Sequence, residues 1–302
     1  MNGLDTQDLA PRRMRNAVRC PRRLFAVLAA LYFSVVGLLG QALTLPNRPD
    51  SLKFAVIGDN GTGDTPQYEV GRRMAAVQRS FRFDQVIMLG DNIYGSQKPQ
   101  DFVRKFEEPY RPLLEGGVRF YASLGNHDTP AELVYKPFNM GGQRYYTYAR
   151  ANVRFFVLDS TAVDSKQQMW LENALKDSRD DWKICYFHHP LYSNAGRHGS
   201  DVELRVLLEP LFVKYGVNVV FSGHDHVYER LKPQKGISYF VSGAAGQLRR
   251  GNMKRSDTTA AAFDQDQSFM LVEVDGADMA FQAISRSGTT VDSGVLHRGP
   301  RP

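Results

Sequence analysis

Gln85-Val86-Ile87-Met88-Leu89-Gly90-Asp91-Asn92-Ile93-Tyr94 carries the plan of the fold in ten residues. An apolar run suited to a buried strand meets a glycine, and an acid and an amide follow at once. The same order recurs in Gly58-Asp59 after Leu52–Ile57, Gly125-Asn126-His127-Asp128 after Val118–Leu124, and Gly223-His224-Asp225-His226 after Val217–Phe221. A further block, His188-His189-Pro190, lacks the glycine. Open α/β sheets bind ligands beyond the carboxyl ends of their strands. Glycine there lets the backbone turn sharply and approach a ligand closely. The blocks therefore gather oxygen and imidazole donors around one crevice, and the pattern reads as a two-metal site.

Between the blocks the apolar period changes. Tyr68–Phe81 predicts a helix with Val70, Met74, Val77 and Phe81 on one face, and a second helical stretch falls near Phe102–Tyr110. Tyr145–Ala149 and Val153–Leu158 flank Arg150-Ala151-Asn152 as an antiparallel hairpin. Gln167–Leu175 and Val202–Tyr215 are helical, the second expected to break or kink at Pro210. Trp182–Phe187 and Ile237–Val241 are strands. Phe269–Val274, Met279–Ser285 and Thr290–Leu296 close the chain as strands, with Asp275-Gly276 as a turn. Ser256–Gln267 and Arg298–Pro302 are expected to be mobile. Strand–helix alternation followed by strands predicts an α/β fold of two stacked mixed β-sheets flanked by helices, a four-layer αββα sandwich.

The chain has 302 residues and a net charge of +6. That length suits one large domain, residues 50–297, and no repeat divides it. Six arginines (12, 13, 15, 19, 22 and 23) against Asp5 and Asp8 put +4 of the charge before residue 43. The remaining +2 is too small to argue for a nucleic-acid partner. The arginines precede Leu24–Leu45, which contains no charge. A basic head, an apolar segment and Gly40-Gln41-Ala42 as a cleavage candidate make residues 1–45 an export signal. At roughly 20 residues per bilayer crossing, 24–45 also suffices as an uncleaved signal-anchor. Either version makes the domain exported, periplasmic or extracellular, with or without a membrane anchor. Arg22-Arg23-Leu24-Phe25 partly resembles a twin-arginine signal but lacks the preceding Ser or Thr. The cysteines are Cys20, ahead of the apolar segment, and Cys185, in a strand run, so no intramolecular disulfide is expected.

Carboxylates, an amide oxygen and imidazoles suit borderline to hard ions such as Fe, Mn and Zn. Six of the seven histidines (127, 188, 189, 198, 224 and 226) fall within or near the blocks, and only His297 lies apart. A scatter of core or surface histidines has no reason to do so. Asp91 stands at the middle of the series, where one carboxylate can bridge two cations.

Taken in order, the blocks resemble the calcineurin-like metallophosphoesterases and, within them, the small tartrate-resistant type of purple acid phosphatase. The pattern Asp … Gly-Asp-x-x-Tyr … Gly-Asn-His … His … Gly-His-x-His is met by Asp59, by Asp91 with Tyr94, by Asn126 with His127, by His188, and by His224 with His226. The resemblance runs from Phe54 to Gly246. It implies one metal held by Asp59, Asp91, Tyr94 and His226, and another held by Asp91, Asn126, His188 and His224. Most relatives carry Asp-x-His in the first block, whereas here Asp59 is followed by Asn60 and Gly61. Tyr94 stands where the purple phosphatases place a tyrosinate. A phenolate favours Fe(III), whose charge offsets the cost of ionising a group of free pKa about 10. Fe(II), Zn or Mn would occupy the second position. His188 is preferred to His189 because the family pattern is ligand-x-Pro.

The implied reaction is hydrolysis of phosphate monoesters, of the acid phosphatase type, by a hydroxide bound at the dinuclear centre, without a phospho-enzyme. His127 and His198 would face the substrate as catalytic groups, orienting the phosphate and protonating the leaving alkoxide. Asp128 either holds the His127 tautomer or caps its loop. The substrate is a phosphorylated small molecule or phosphoprotein, and selectivity is left to Asn139–Arg144, Ser193–Ser200 and Gly246–Lys254, which carry Arg197, Arg249 and Arg250. Two rivals stand beside this reading: a phosphodiesterase or nucleotidase on the same metals, and a non-catalytic metal- or phosphate-binding protein anchored to the membrane.

Overall fold

Each of these apolar runs forms a strand in the computed structural model, which describes residues 43–299. In chain order the elements are β1 (Leu52–Ile57), α1 (Thr65–Phe81), β2 (Gln85–Met88), α2 (Pro99–Phe102), α3 (Glu108–Glu115), β3 (Arg119–Ala122), β4 (Tyr146–Arg150) and β5 (Val153–Val157). There follow α4 (Ser165–Asp177), β6 (Trp182–Tyr186), α5 (Val202–Lys214), β7 (Val219–Ser222), β8 (Tyr228–Leu231) and β9 (Ser238–Ser242). The chain ends with β10 (Thr259–Phe263), β11 (Ser268–Asp275), β12 (Asp278–Ser285) and β13 (Thr290–His297). They make two mixed sheets, ordered β13-β12-β11-β1-β2-β3 and β10-β8-β9-β7-β6-β5-β4. The expected four-layer architecture is the one found.

Parallel pairing sets the site. β1, β2 and β3 run parallel in register, Ile57 opposite Met88 and Met88 opposite Ala122. In the other sheet β5, β6, β7 and β9 are parallel neighbours, with Tyr186 opposite Phe221. The loops leaving β1, β2, β3, β6 and β7 thus emerge at the carboxyl edges, level within each sheet. Phe54 meets Phe155 and Phe221 edge-on, with centroids 5.4 and 6.3 Å apart, and these contacts join the two sheets. Alternation along each strand divides the second sheet's faces. Phe155, Ile184 and Phe221 enter the core shared with the first sheet, while Phe156, Cys185 and Val220 pack in a second core with Leu171 and Leu175 of α4 and Leu208 and Phe212 of α5. Cys185 is buried and free.

α1 begins earlier than the periodicity indicated because Pro66 fits the first turn, where no amide partner is needed. Between α2 and α3 the chain widens into a π-helical turn, Val103–Glu107, which carries Lys105 inward to 4 % exposure. Two expectations are corrected. Pro210 does not break α5, which continues through it. The carbonyl four residues back, which loses its amide partner, belongs to Val206, a residue that is 68 % exposed. Ser256–Gln267 contains an ordered strand, β10, paired antiparallel with β8. Both strands escape pattern reading because Tyr-Glu-Arg-Leu is half charged and Thr-Ala-Ala-Ala-Phe has weak strand preference.

The expected export segment lies outside the described residues except at Leu43–Leu45, where the Thr44 amide donates to Gln282 Oε1 at 2.9 Å. Among the described residues no helix is long and apolar enough to cross a membrane.

Candidate metal centre

Three of the seven expected ligands hold left-handed backbone: Asp59 at φ 53°, Asp91 at 52° and His224 at 67°. Such angles are uncommon outside glycine and collect at functional sites. Here each follows a strand end directly and turns its side chain back over the sheet edges. Two glycines permit the crowding. A Cβ on Gly125 would lie 2.3 Å from Asp91 Oδ1, and one on Gly223 would lie 2.5 Å from Asp59 Oδ2.

On one side, Asp59 Oδ1, Tyr94 Oη and His226 Nε2 form a triangle whose three edges are each 3.2 Å. Adjacent ligands on an octahedral ion with bonds of about 2.1 Å stand ~3.0 Å apart, so one cation fits among them. Asp59 is fully buried, and its other oxygen accepts the His224 amide at 2.9 Å. Burial, then the charge of Asp91, raises its carboxyl well above the usual range. The Tyr94 phenol is raised far beyond its ordinary value by burial and by the charges of Asp59 and Asp91. It ionises only when a strong positive charge offsets those carboxylates. His226 is pushed down to about 4, burial leading and Arg249 adding to it, so its imidazole is neutral and able to ligate. Lys105 holds the loop from behind, bonding the carbonyls of Tyr94 and Ser96 and pairing with Asp101 at 3.2 Å.

On the other side, His188 is the hub. Its Nδ1 lies 2.9 Å from the Leu89 carbonyl, which can only accept, so Nδ1 carries the proton and Nε2 presents a lone pair. Burial holds the ring well below the ordinary imidazole pKa, with the charge of His189 acting in the same sense. That lone pair faces Asn126 Oδ1 at 3.0 Å, His224 Nδ1 at 3.1 Å and Asp91 Oδ1 at 3.4 Å. The His188 lone pair and the Asn126 and Asp91 oxygens are acceptors turned on one another, and a cation among them would relieve their repulsion. Asp91 is 1 % exposed and joins the two sides.

All seven expected ligands are thus brought together. His127 and His198 stand at the rim. The His127 ring is 4.9 Å from Tyr94, and its backbone amide donates to Asp91 Oδ1 at 2.9 Å. The His198 ring is 4.2 Å from His224. His189 hydrogen-bonds Ser160 Oγ at 2.9 Å through Nδ1, and its ring lies 4.4 Å from His224. It lines the His188 side, where its ring, with those of His188 and His224, offers ligand atoms within 4.8 Å of one another.

Asp128 resolves between its two readings as a loop anchor. It accepts the amides of Asn92 and Gly125 at 2.8 Å and Asn92 Nδ2 at 2.9 Å, and so ties the second block to the third. Burial raises its carboxyl to about 7. The sequence reading missed its partner Glu132, which is fully buried and bound to Asn92 Nδ2 at 2.9 Å. It also gave no role to Asp225, which takes Ser193 Oγ at 2.6 Å and the Gly199 amide at 3.1 Å and so fixes the His198 loop. Asp225 stood in view inside Gly-His-Asp-His; Glu132 had no sequence signal beyond its proximity to the third block.

The donor set fits cations. Two buried carboxylates meet only histidine rings as basic side chains, and no lysine or arginine pairs with either among the described residues. Buried charge left uncompensated costs several kcal/mol per ion, on the order given for desolvation, and positive ions would offset it.

Comparison with known proteins agrees. The profile of the calcineurin-like phosphoesterase family matches residues 52–228. Human tartrate-resistant acid phosphatase type 5 is 27 % identical, covering 88 % of this chain and 98 % of its own. Purple acid phosphatase 7 of Arabidopsis thaliana is also 27 % identical, over 82 % of this chain and 85 % of its own. Among solved structures, Plasmodium GAP50, described as the anchor in the inner membrane complex, superposes with a TM-score of 0.71 at 18 % identity, covering 83 % of this chain and 90 % of that one. Purple acid phosphatase PPD1 of yellow lupin superposes at 0.67 and 17 % identity, over 84 % and 55 % of the two chains. These likenesses of fold accompany a donor arrangement built for cations, and the chain belongs to the calcineurin-like phosphoesterase family, as a metal-dependent phosphoester hydrolase whose relatives there are tartrate-resistant and purple acid phosphatases.

Proposed function

We propose that the protein hydrolyses phosphate monoesters outside the cytoplasm, on Fe(III) held by Asp59, Asp91, Tyr94 and His226 and on Fe(II), Zn or Mn held by Asp91, Asn126, His188 and His224. The observation that carries this reading is the pair of buried carboxylates, Asp59 and Asp91, ringed by neutral imidazoles and a phenol with no lysine or arginine paired to them. When bound, the ions supply an activated water and neutralise charge on the phosphoryl group.

The chain's own residues do the rest. His127 and His198 flank the centre at its Tyr94 and His224 sides, where each reaches the phosphate oxygens and one protonates the leaving alkoxide. Asp225 and Asp128 hold the loops that carry them. Burial of Asp59, Asp91 and His188 excludes bulk water beneath the reacting group. Residues 1–45 serve as export signal or anchor and 50–297 as the catalytic domain.

Metal analysis with a visible spectrum of the pure protein tests the reading. A tyrosinate–Fe(III) charge-transfer band that vanishes in Tyr94→Phe is expected, together with faster turnover of monoesters than of diesters. A colourless, iron-free and fully active protein would remove the iron assignment. Preference for diesters would move the substrate class, and no hydrolysis after loading with Fe or Mn would favour a non-catalytic binder.

A further inference from the structure

Arg197 and Arg249 stand out among the arginines. Elsewhere Arg154 pairs with Asp180, Arg230 with Asp292, and Arg286 with both Glu69 and Asp266. Neither Arg197 nor Arg249 bonds an acceptor through its side chain among the described residues, and Arg249 Nε is buried without a partner. A buried donor left unpaired is costly, so an acceptor arriving from outside would be favoured.

Their placement is fixed by backbone. The Arg249 amide donates to the His226 carbonyl at 3.0 Å, setting this residue against a metal ligand. Arg197 precedes His198, whose ring packs on His224. The two loops are zipped together: the Gly196 amide donates to Asn252 O at 2.7 Å, the Lys254 amide donates to Asn194 O at 3.0 Å, and Ala195 bridges Met253. Arg250, next in sequence, lines a separate hollow with Thr62, Asp64 and Arg286.

We propose that Arg197 and Arg249 form an anion subsite beside the metal centre, selecting phosphate monoesters that carry a second anionic group, carboxylate or phosphate, a few bonds from the scissile one. Arginine suits this task because its planar fork meets either group through two parallel hydrogen bonds. The inference rests on the phosphatase reading and names its substrate class.

The test compares kcat/KM of the metal-loaded protein for glycerol 3-phosphate, 3-phosphoglycerate and 1,3-propanediol bisphosphate. Wild type should favour at least one of the last two, and which one identifies the second anion. Arg249→Gln and Arg197→Gln should each lower that preference by about tenfold, the scale of one hydrogen bond to a charged group, mainly through KM. Arg249→Lys should keep part of it, and Arg250→Gln should leave it intact. Equal losses on all three substrates, or an unaltered preference in both glutamine variants, would overturn the subsite. Hydrolysis of glycerol 3-phosphate without preference removes the subsite alone, whereas hydrolysis of none removes the phosphatase reading with it.

Discussion

The two sides of Asp91 are built from different chemistry. Around Tyr94 the inward atoms are two carboxylates, a phenol and a single imidazole; around His188 they are the shared carboxylate, a neutral amide and two imidazoles. The first is rich in oxygen and in potential negative charge, the second in neutral nitrogen. Ions sort by charge and by ligand hardness, which is why we propose a trivalent ion at the first position and a divalent one at the second. The asymmetry arises from the loops. The blocks after β1 and β2 contribute acids and the phenol, the block after β3 an amide, and those after β6 and β7 the imidazoles.

Removing what the two sides share should do the most damage. Asp91→Ala is expected to release both ions and lower turnover by more than about a thousandfold, the upper range for losing one electrostatic contributor to a transition state. Ion content near wild type in that variant would break the two-ion picture. Next come variants that touch one side each. His188→Ala should lose a single ion and keep the visible band, while Tyr94→Phe should lose the band and keep the other ion. Identical spectra and ion contents in the two would erase the distinction between the sides.

Asp225→Asn loosens the His198 loop without touching a donor, so activity should fall by about tenfold, at the low end for partners that orient a metal site, with ion content unchanged. Simultaneous loss of metal would mean that Asp225 supports the ligands instead.

The smallest effect concerns the buried acids that tie the second and third blocks together. Burial, helped by Asp128, raises the Glu132 carboxyl well above the ordinary range, and burial raises Asp128 to about 7. A raised pKa means the folded state holds the proton more tightly. For Asp128 that stabilisation is full below its unfolded pKa of about 3.9 and is lost as pH climbs through about 7; for Glu132 it is full below about 4.3 and is lost at a pH well above that. In chelator-treated protein, the urea midpoint of wild type should drop more between roughly pH 5 and 8 than that of Glu132→Gln. Parallel pH profiles would show that the two acids hold no shared proton.

Legibility followed how local the physics was. The strands bearing the donors could be read because burial on both faces demands uninterrupted apolar runs, and the blocks that converge could be read because most begin with a turn glycine, while the ligand set within them came from the family resemblance. β8 and β10 could not, since Glu229 and Arg230 are satisfied by distant residues: Asn194 and Thr259 bind the one, Asp292 the other.

By itself, then, the sequence determined the α/β alternation, the family and the blocks that converge on one site. These depend on periodicity and on residue type, which are properties of short segments. Only the tertiary structure decided that His188 faces Asn126 and Asp91, that Asp128 ties loops together, and that the loops carrying Arg197 and Arg249 pair through their backbones. Each of those depends on which side chains from remote loops meet across the two sheets, and chain order does not encode that proximity in any single stretch.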